Sequence, residues 1–252
     1  ARDGRWHLDM EQLLAKLTDK TKALLINSPN NPTGWVCSAE EQKTILDHCR
    51  KQGIWIVADD VYARLYQHGS LAPGFQHLAN ADDLLISINS FSKAWSMTGW
   101  RLGWITAPAA LEKTFAQLTE FNIACPAGFI QEAGLAMIER GEGEISLLQH
   151  RLRKALTLTR TRLKHFEDIS FIEPDGAFYC FFSVRGLTDS LAFAHALLEQ
   201  TKVGLAPGLA FGAAGGGYLR LCYAQDEQLL NKAFDRLDKG FNAVRRYLLE
   251  DN

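Results

Sequence analysis

Apolar runs recur along the chain at a spacing that predicts alternating strands and helices. Lys22-Ala23-Leu24-Leu25-Ile26-Asn27 reads as a compact strand, and Ser28-Pro29-Asn30-Asn31-Pro32-Thr33-Gly34 behind it is a dense turn signal. A helix is predicted next. Ser38 and Glu41 have capping-box spacing, Ile45, Leu46 and Cys49 form an apolar stripe, and Gly53 is a stop signal. Ile54-Trp55-Ile56-Val57-Ala58 is a fully apolar strand ending on Asp59-Asp60. Strand, helix and strand at this spacing predict a right-handed crossover in a parallel sheet. Leu84-Leu85-Ile86-Ser87-Ile88 predicts a further buried strand, and Leu102-Gly103-Trp104-Ile105-Thr106 a short one. Pro108 then opens a helix with Leu111, Phe115 and Leu118 on one face.

The pattern changes near Gly141 and Gly143. From Glu144 to about Phe166 the spacing predicts a long amphipathic helix, with Ile145, Leu148, Leu152, Ala155, Thr159 and Leu163 on its apolar stripe. Residues 169–172 and 177–184 read as a strand pair around the turn Glu173-Pro174-Asp175-Gly176. A helix from Ser190 to Gln200, a strand from Val203 to Ala206, a glycine-rich loop, a strand from Tyr218 to Tyr223 and a helix from Glu227 complete a small α+β unit. The expected organisation is therefore an α/β portion over residues 1–140, a mainly parallel sheet with helices on both faces, and a small α+β domain over 141–252.

Composition narrows the function classes. The 252 residues are 47% hydrophobic and 22% charged, with a formal net charge of -2, which gives no electrostatic case for nucleic acid or an anionic membrane. The basic face of the helix after Gly141 reads as a solvated surface. No apolar run is long enough to span a bilayer. The five cysteines (Cys37, Cys49, Cys125, Cys180, Cys222) are scattered and odd in number, which suits reduced thiols in a cytoplasm and offers no metal site. The chain begins Ala1-Arg2-Asp3, in the middle of what reads as a fold, so a longer parent protein is expected.

Three polar groups fall at the carboxyl ends of three apolar strands: Asn31 after the first, Asp59 at the second and Lys93 after the third. In an open α/β sheet that crevice is where ligands bind. Each residue also has an ordinary reading: a turn residue, a helix cap (Asp59 or Asp60) and a surface charge. Their joint occurrence shifts the balance. Lys93 stands among Ser90, Ser92 and Ser96 with Arg101 eight positions on, a set able to hold a carbonyl-and-phosphate cofactor. Arg220 lies inside the predicted strand 218–223, where an unpaired buried charge is costly; the alternative is an edge strand with Arg220 facing water.

Asn31-Pro32-Thr33-Gly34, Asp59 with Tyr62 three residues later, Ser90-Phe91-Ser92-Lys93 with Arg101, and Arg220 together resemble the class I/II aminotransferases of fold type I, which depend on pyridoxal 5'-phosphate (PLP). The resemblance runs in order over essentially the whole chain. It implies the carboxyl-terminal part of the large PLP-binding domain followed by the small domain. It implies Lys93 as the Schiff-base lysine and proton shuttle, Asp59 as the partner of the pyridinium nitrogen, and Asn31 and Tyr62 as donors to the cofactor's phenolic oxygen. Ser90, Ser92 and Arg101 are implied to hold the phosphate, and Arg220, with Asn31 beside it, to bind the substrate α-carboxylate through a planar fork. A cis Asn31–Pro32 bond, a homodimer, and amino acid and 2-oxo acid substrates are implied as well. The family's amino-terminal portion has no counterpart here, so weak cofactor retention and little activity are expected of this chain alone. No lysine or arginine stands between Lys113 and Arg140, which weakens an aspartate-type reading. Two alternatives share the fold: a carbon–sulfur lyase, and the PLP-sensing domain of a helix-turn-helix transcription regulator.

Overall fold

Four strands build the first sheet in the computed structural model, which describes residues 4–249: β1 (Ala23–Asn27), β2 (Trp55–Asp59), β3 (Leu85–Ser90) and β4 (Gly103–Thr106), in that spatial order. The first three are parallel, with Asn27 opposite Asp59 and Asp59 opposite Ile88. The last turns back antiparallel, pairing Ser90 with Gly103. Between β1 and β2 runs α2 (Ala39–Gln52), preceded in the chain by α1 (Met10–Lys16). The predicted punctuation of α2 is present. Ser38 Oγ accepts the Glu41 N–H, the Glu41 carboxylate accepts the Ser38 N–H, and Gly53 ends the helix at φ +64°. Its buried face, Ile45, Leu46 and Cys49, packs on Ile26, Ile56, Ala58 and Leu85 in one core. Because side chains alternate along a strand, Leu25, Val57 and Ile86 fall on the opposite face, where Leu25 is 68% exposed.

Strand limits differ from the apolar runs by one or two polar residues. β2 continues through Asp59 and β3 through Ser90, since ladder hydrogen bonding rather than apolarity defines the strand. After β3 come α3 (Phe91–Ala94), α4 (Glu112–Ile123), α5 (Gly128–Arg140) and α6 (Glu142–Leu163). The face of α4 expected to group Leu111, Phe115 and Leu118 is not packed into a core, and Phe121 is 89% exposed. Gly141 closes α5 and opens α6, two residues earlier than the pattern suggested.

The second sheet is wholly antiparallel: β5 (Ile169–Phe171), β6 (Tyr179–Val184), β7 (Ala206–Pro207) and β8 (Tyr218–Cys222), in the order β5-β6-β8-β7. With α6, α7 (Ser190–Thr201) and α8 (Glu227–Leu249) it encloses a second core around Leu152, Phe182, Phe193, Phe234 and Phe241. Tyr62 and Leu65, from the loop after β2, belong to this core and tie the sheets together. Two strands start later than expected. Ala177 sits at φ +59° and gives its N–H to the Leu65 carbonyl, so β6 begins at Tyr179. The Val203 N–H bonds Thr201 Oγ1 instead of a ladder, so β7 shrinks to Ala206–Pro207. Arg162 on the basic face of α6 bonds Asp235 and Asp238 of α8, both at 2.7 Å, which neutralises part of that face. Among the described residues no helix is long and apolar enough to cross a membrane, and no cluster of three potential metal ligands occurs.

Candidate active site

The parallel register sets the carboxyl ends of β1, β2 and β3 side by side, so the segment carrying Asn31, Asp59 itself and the helix carrying Lys93 all emerge at one end of the sheet. The Asn31 turn is held from below by Asn27. Its Oδ1 accepts the Asn31 N–H at 2.7 Å, and its Nδ2 donates to the Asp59 carbonyl at 3.2 Å. The Ser28–Pro29 and Asn31–Pro32 peptide bonds are both cis. Gly34 closes the turn at φ +72°, and its carbonyl accepts the N–H groups of Asp175 and Gly176 at 3.0 Å each. A side chain there would collide with Pro174, so only glycine fits both the dihedral and the space.

Alternation along β2 separates the two neighbouring aspartates. Asp60 is buried on the face toward α2, accepts the Ser87 hydroxyl, and burial pushes its carboxyl up to about 6. Asp59 points to the other face and is half-buried. Burial raises its carboxyl above the usual range, while the Val61 N–H at 3.4 Å and the charge of Lys93 pull it back. Among the described residues Asp59 makes no ion pair. Lys93 is half-buried in α3, with Nζ 5.8 Å from the centroid of the Tyr62 ring. The Tyr62 hydroxyl lies 3.0 Å from that of Tyr179. Desolvation first, then the Tyr179 contact, hold the Tyr62 proton far above its ordinary range.

Arg220 reaches this crevice from the second sheet. β8 is an interior strand between β6 and β7, so the water-facing alternative does not apply. Its Nη1 donates to Asn31 Oδ1 at 2.8 Å, which turns the Asn31 amide nitrogen away from it. The guanidinium carbon lies 4.4 Å from the Tyr179 ring centroid and 4.9 Å from that of Phe211. The Arg220 Nε is buried and makes no hydrogen bond.

The serines and Arg101 are placed less convergently. Ser90 Oγ caps α3 by accepting the Ser92 N–H at 3.0 Å and donates to the Leu102 carbonyl at 3.4 Å. Arg101 is exposed at φ +53°, and its Nη1 donates to the Thr98 carbonyl at 2.8 Å rather than meeting either serine. A cavity of about 390 Å³ borders Lys93, lined also by Ser92, Thr98, Leu148, Arg151 and Phe178; Asn31, Asp59 and Arg220 do not line it.

Tyr179, Phe211 and Asn27 were not singled out by sequence. Tyr179 stands in the apolar run Phe178-Tyr179-Cys180-Phe181-Phe182, where an aromatic reads as core, and Phe211 precedes a glycine run that carries no pattern. The signal available for Asn27 was an amide at the last position of a strand, directly before a proline turn.

An amine, a carboxylate without an ion-pair partner, a phenol and a guanidinium with an unpaired N–H thus stand near one another at the carboxyl end of the first sheet. The set fits pyridoxal phosphate on two structural observations. Asp59 makes no ion pair among the described residues and could pair with a protonated ring nitrogen, and the buried Arg220 Nε is a donor without an acceptor, as a carboxylate would supply.

Comparisons with known proteins point the same way. The family model described as aminotransferase class I and II matches residues 2–237. An aspartate aminotransferase of Pyrococcus abyssi is 33% identical over 241 residues, covering 94% of this chain and 61% of that protein. An aromatic-amino-acid aminotransferase of Thermococcus litoralis is likewise 33% identical, with the same coverage. Among solved structures, an aromatic aminotransferase from Pyrococcus horikoshii superposes with a TM-score of 0.87 at 32% identity, over 94% of this chain and 64% of that one. The chain therefore spans about three-fifths of the length of the relatives it matches.

Proposed function

Because this chain belongs to the class I and II aminotransferases, we propose that it carries the lysine side of a PLP site that moves an amino group between an L-amino acid and a 2-oxo acid. Bound pyridoxal phosphate supplies a carbonyl that condenses with amines and a protonated ring that takes up the electron pair released at the substrate Cα. Lys93 provides the Nζ that holds the cofactor and then carries the proton to and from Cα. Asp59 pairs with the ring nitrogen and keeps it protonated. The Tyr62 hydroxyl and the Asn31 amide donate to the phenolic oxygen. Ser90, Ser92 and Arg101 provide the hydroxyls and guanidinium for the phosphate, which requires Arg101 to leave the Thr98 carbonyl. Arg220, turned by Asn31, receives the α-carboxylate on its free Nε. The homodimer implied by the family resemblance is part of this reading.

One observation supports the proposal above the others: Arg220 reaches from the second sheet to Asn31 at 2.8 Å and keeps a buried N–H without a partner. The test is to incubate the protein with PLP, reduce with borohydride, and map the added mass by peptide mass spectrometry. The expected result is modification concentrated on Lys93 and absent in Lys93→Ala, a substitution that also blocks turnover in the full-length parent. Modification spread evenly over the surface lysines overturns the assignment. Release of pyruvate and ammonia without an amino acceptor would overturn transamination in favour of elimination.

A further inference from the structure

Tyr179 touches both halves of the crevice. Its hydroxyl lies 3.0 Å from that of Tyr62, and its ring faces the Arg220 guanidinium at 4.4 Å. We propose that Tyr179 is a positioning residue that couples carboxylate capture at Arg220 to the donor strength of the Tyr62 hydroxyl; this rests on the function proposed above.

Buried phenols need a partner for their hydroxyl. Tyr223, also fully buried, finds one in the Ala177 carbonyl at 3.2 Å and is held by Gln67, as a structural tyrosine does. Tyr179 instead uses a second phenol, that of Tyr62, whose ring lies 5.8 Å from Lys93 Nζ. The groups around Tyr62 are Asp59 of β2, Lys93 of α3, Tyr179 of β6 and Arg220 of β8. Of these, only Tyr179 touches both the Tyr62 hydroxyl and the arginine. If Tyr62 gives its own proton to the cofactor's phenolic oxygen, its oxygen is left to accept from Tyr179, and donation along such a chain strengthens each member. The cation stacked on the Tyr179 ring draws electron density from the phenol and sharpens that donation. A carboxylate arriving at Arg220 offsets the cation and so reports its arrival to Tyr62.

The test uses Tyr179→Phe, Tyr179→Leu and Tyr223→Phe in the cofactor-loaded full-length parent. The readouts are the pH midpoint of the cofactor's visible absorbance, the KM and kcat for the amino donor, and thermal melting. Tyr179→Phe keeps the ring under Arg220 and loses the hydroxyl. A weaker donor leaves more negative charge on the phenolic oxygen, which holds the neighbouring proton to higher pH. The midpoint is therefore expected to rise by about 0.3 pH unit or more, with KM within about twofold of wild type. Tyr179→Leu also removes the ring and should raise KM by about fivefold or more. Tyr223→Phe should lower the melting temperature and leave the midpoint in place. A midpoint unchanged in Tyr179→Phe, or moved equally by Tyr223→Phe, overturns the coupling while leaving the proposed function intact. Cofactor uptake by the full-length parent at a residue other than Lys93 overturns both.

Discussion

Replacing Arg220 by lysine keeps the positive charge and removes the geometry. The guanidinium is aligned by its bond to Asn31 Oδ1 and by its contacts with the rings of Tyr179 and Phe211, and its Nε has no partner. An ammonium on a flexible stem offers a carboxylate one contact where the fork offers two, and it stacks poorly between rings. Loss of one charge-assisted hydrogen bond is about 1.5–3 kcal/mol, which corresponds to amino-acid binding weaker by roughly 10- to 150-fold. Arg220 holds the substrate away from the reacting bond, so the loss should appear mainly in KM, with kcat changed by less than about tenfold. The assay is steady-state kinetics with an amino donor, alongside inhibition by an unreactive carboxylate that competes for the same arginine. Both constants should move together. If KM and the inhibition constant stay within about twofold of wild type in a variant that melts normally, Arg220 does not bind the carboxylate.

Two further outcomes follow from geometry outside the arginine. In Gly34→Ala the new Cβ would stand 2.2 Å from Pro174 Cβ at φ +72°. Left-handed strain and overpacking together cost about 2–5 kcal/mol, so the melting temperature should fall by roughly 5–15 °C; a fall under about 2 °C refutes the collision. Asp60 titrates at about 6 in the fold, above its unfolded value of 3.8. The folded chain thus binds the extra proton, and the stability this group contributes is present below the unfolded value and lost as pH rises through the folded one. Asp60→Asn can still accept the Ser87 hydroxyl. It should therefore raise the melting temperature relative to wild type more at about pH 8 than at about pH 4, and an equal effect at both counts against a buried, strained carboxylate.

Much of this protein was legible in the sequence because it is decided within a few residues. The capping box and Gly53 delimit α2 through bonds three or four positions apart, and the apolar runs locate β1, β2 and β3 to within two residues. The ordered motifs around Asn31, Asp59 with Tyr62, Ser90 to Lys93 with Arg101, and Arg220 were likewise enough together to indicate the family. Other features were decided by tertiary structure. Asp59 and Asp60 are chemically identical neighbours, and only the pleat of β2 in its sheet sends one toward Lys93 and the other toward Ser87. Whether Arg220 was edge or interior depended on the late pairing of β7 and β8. Tyr179 resembled any other core aromatic until packing placed its hydroxyl against Tyr62, 117 residues away, and Arg220 against Asn31, 189 residues away. Hydrophobic periodicity records which face of an element is buried, but not which distant polar group will meet it there. Those partners are set by how the two cores dock.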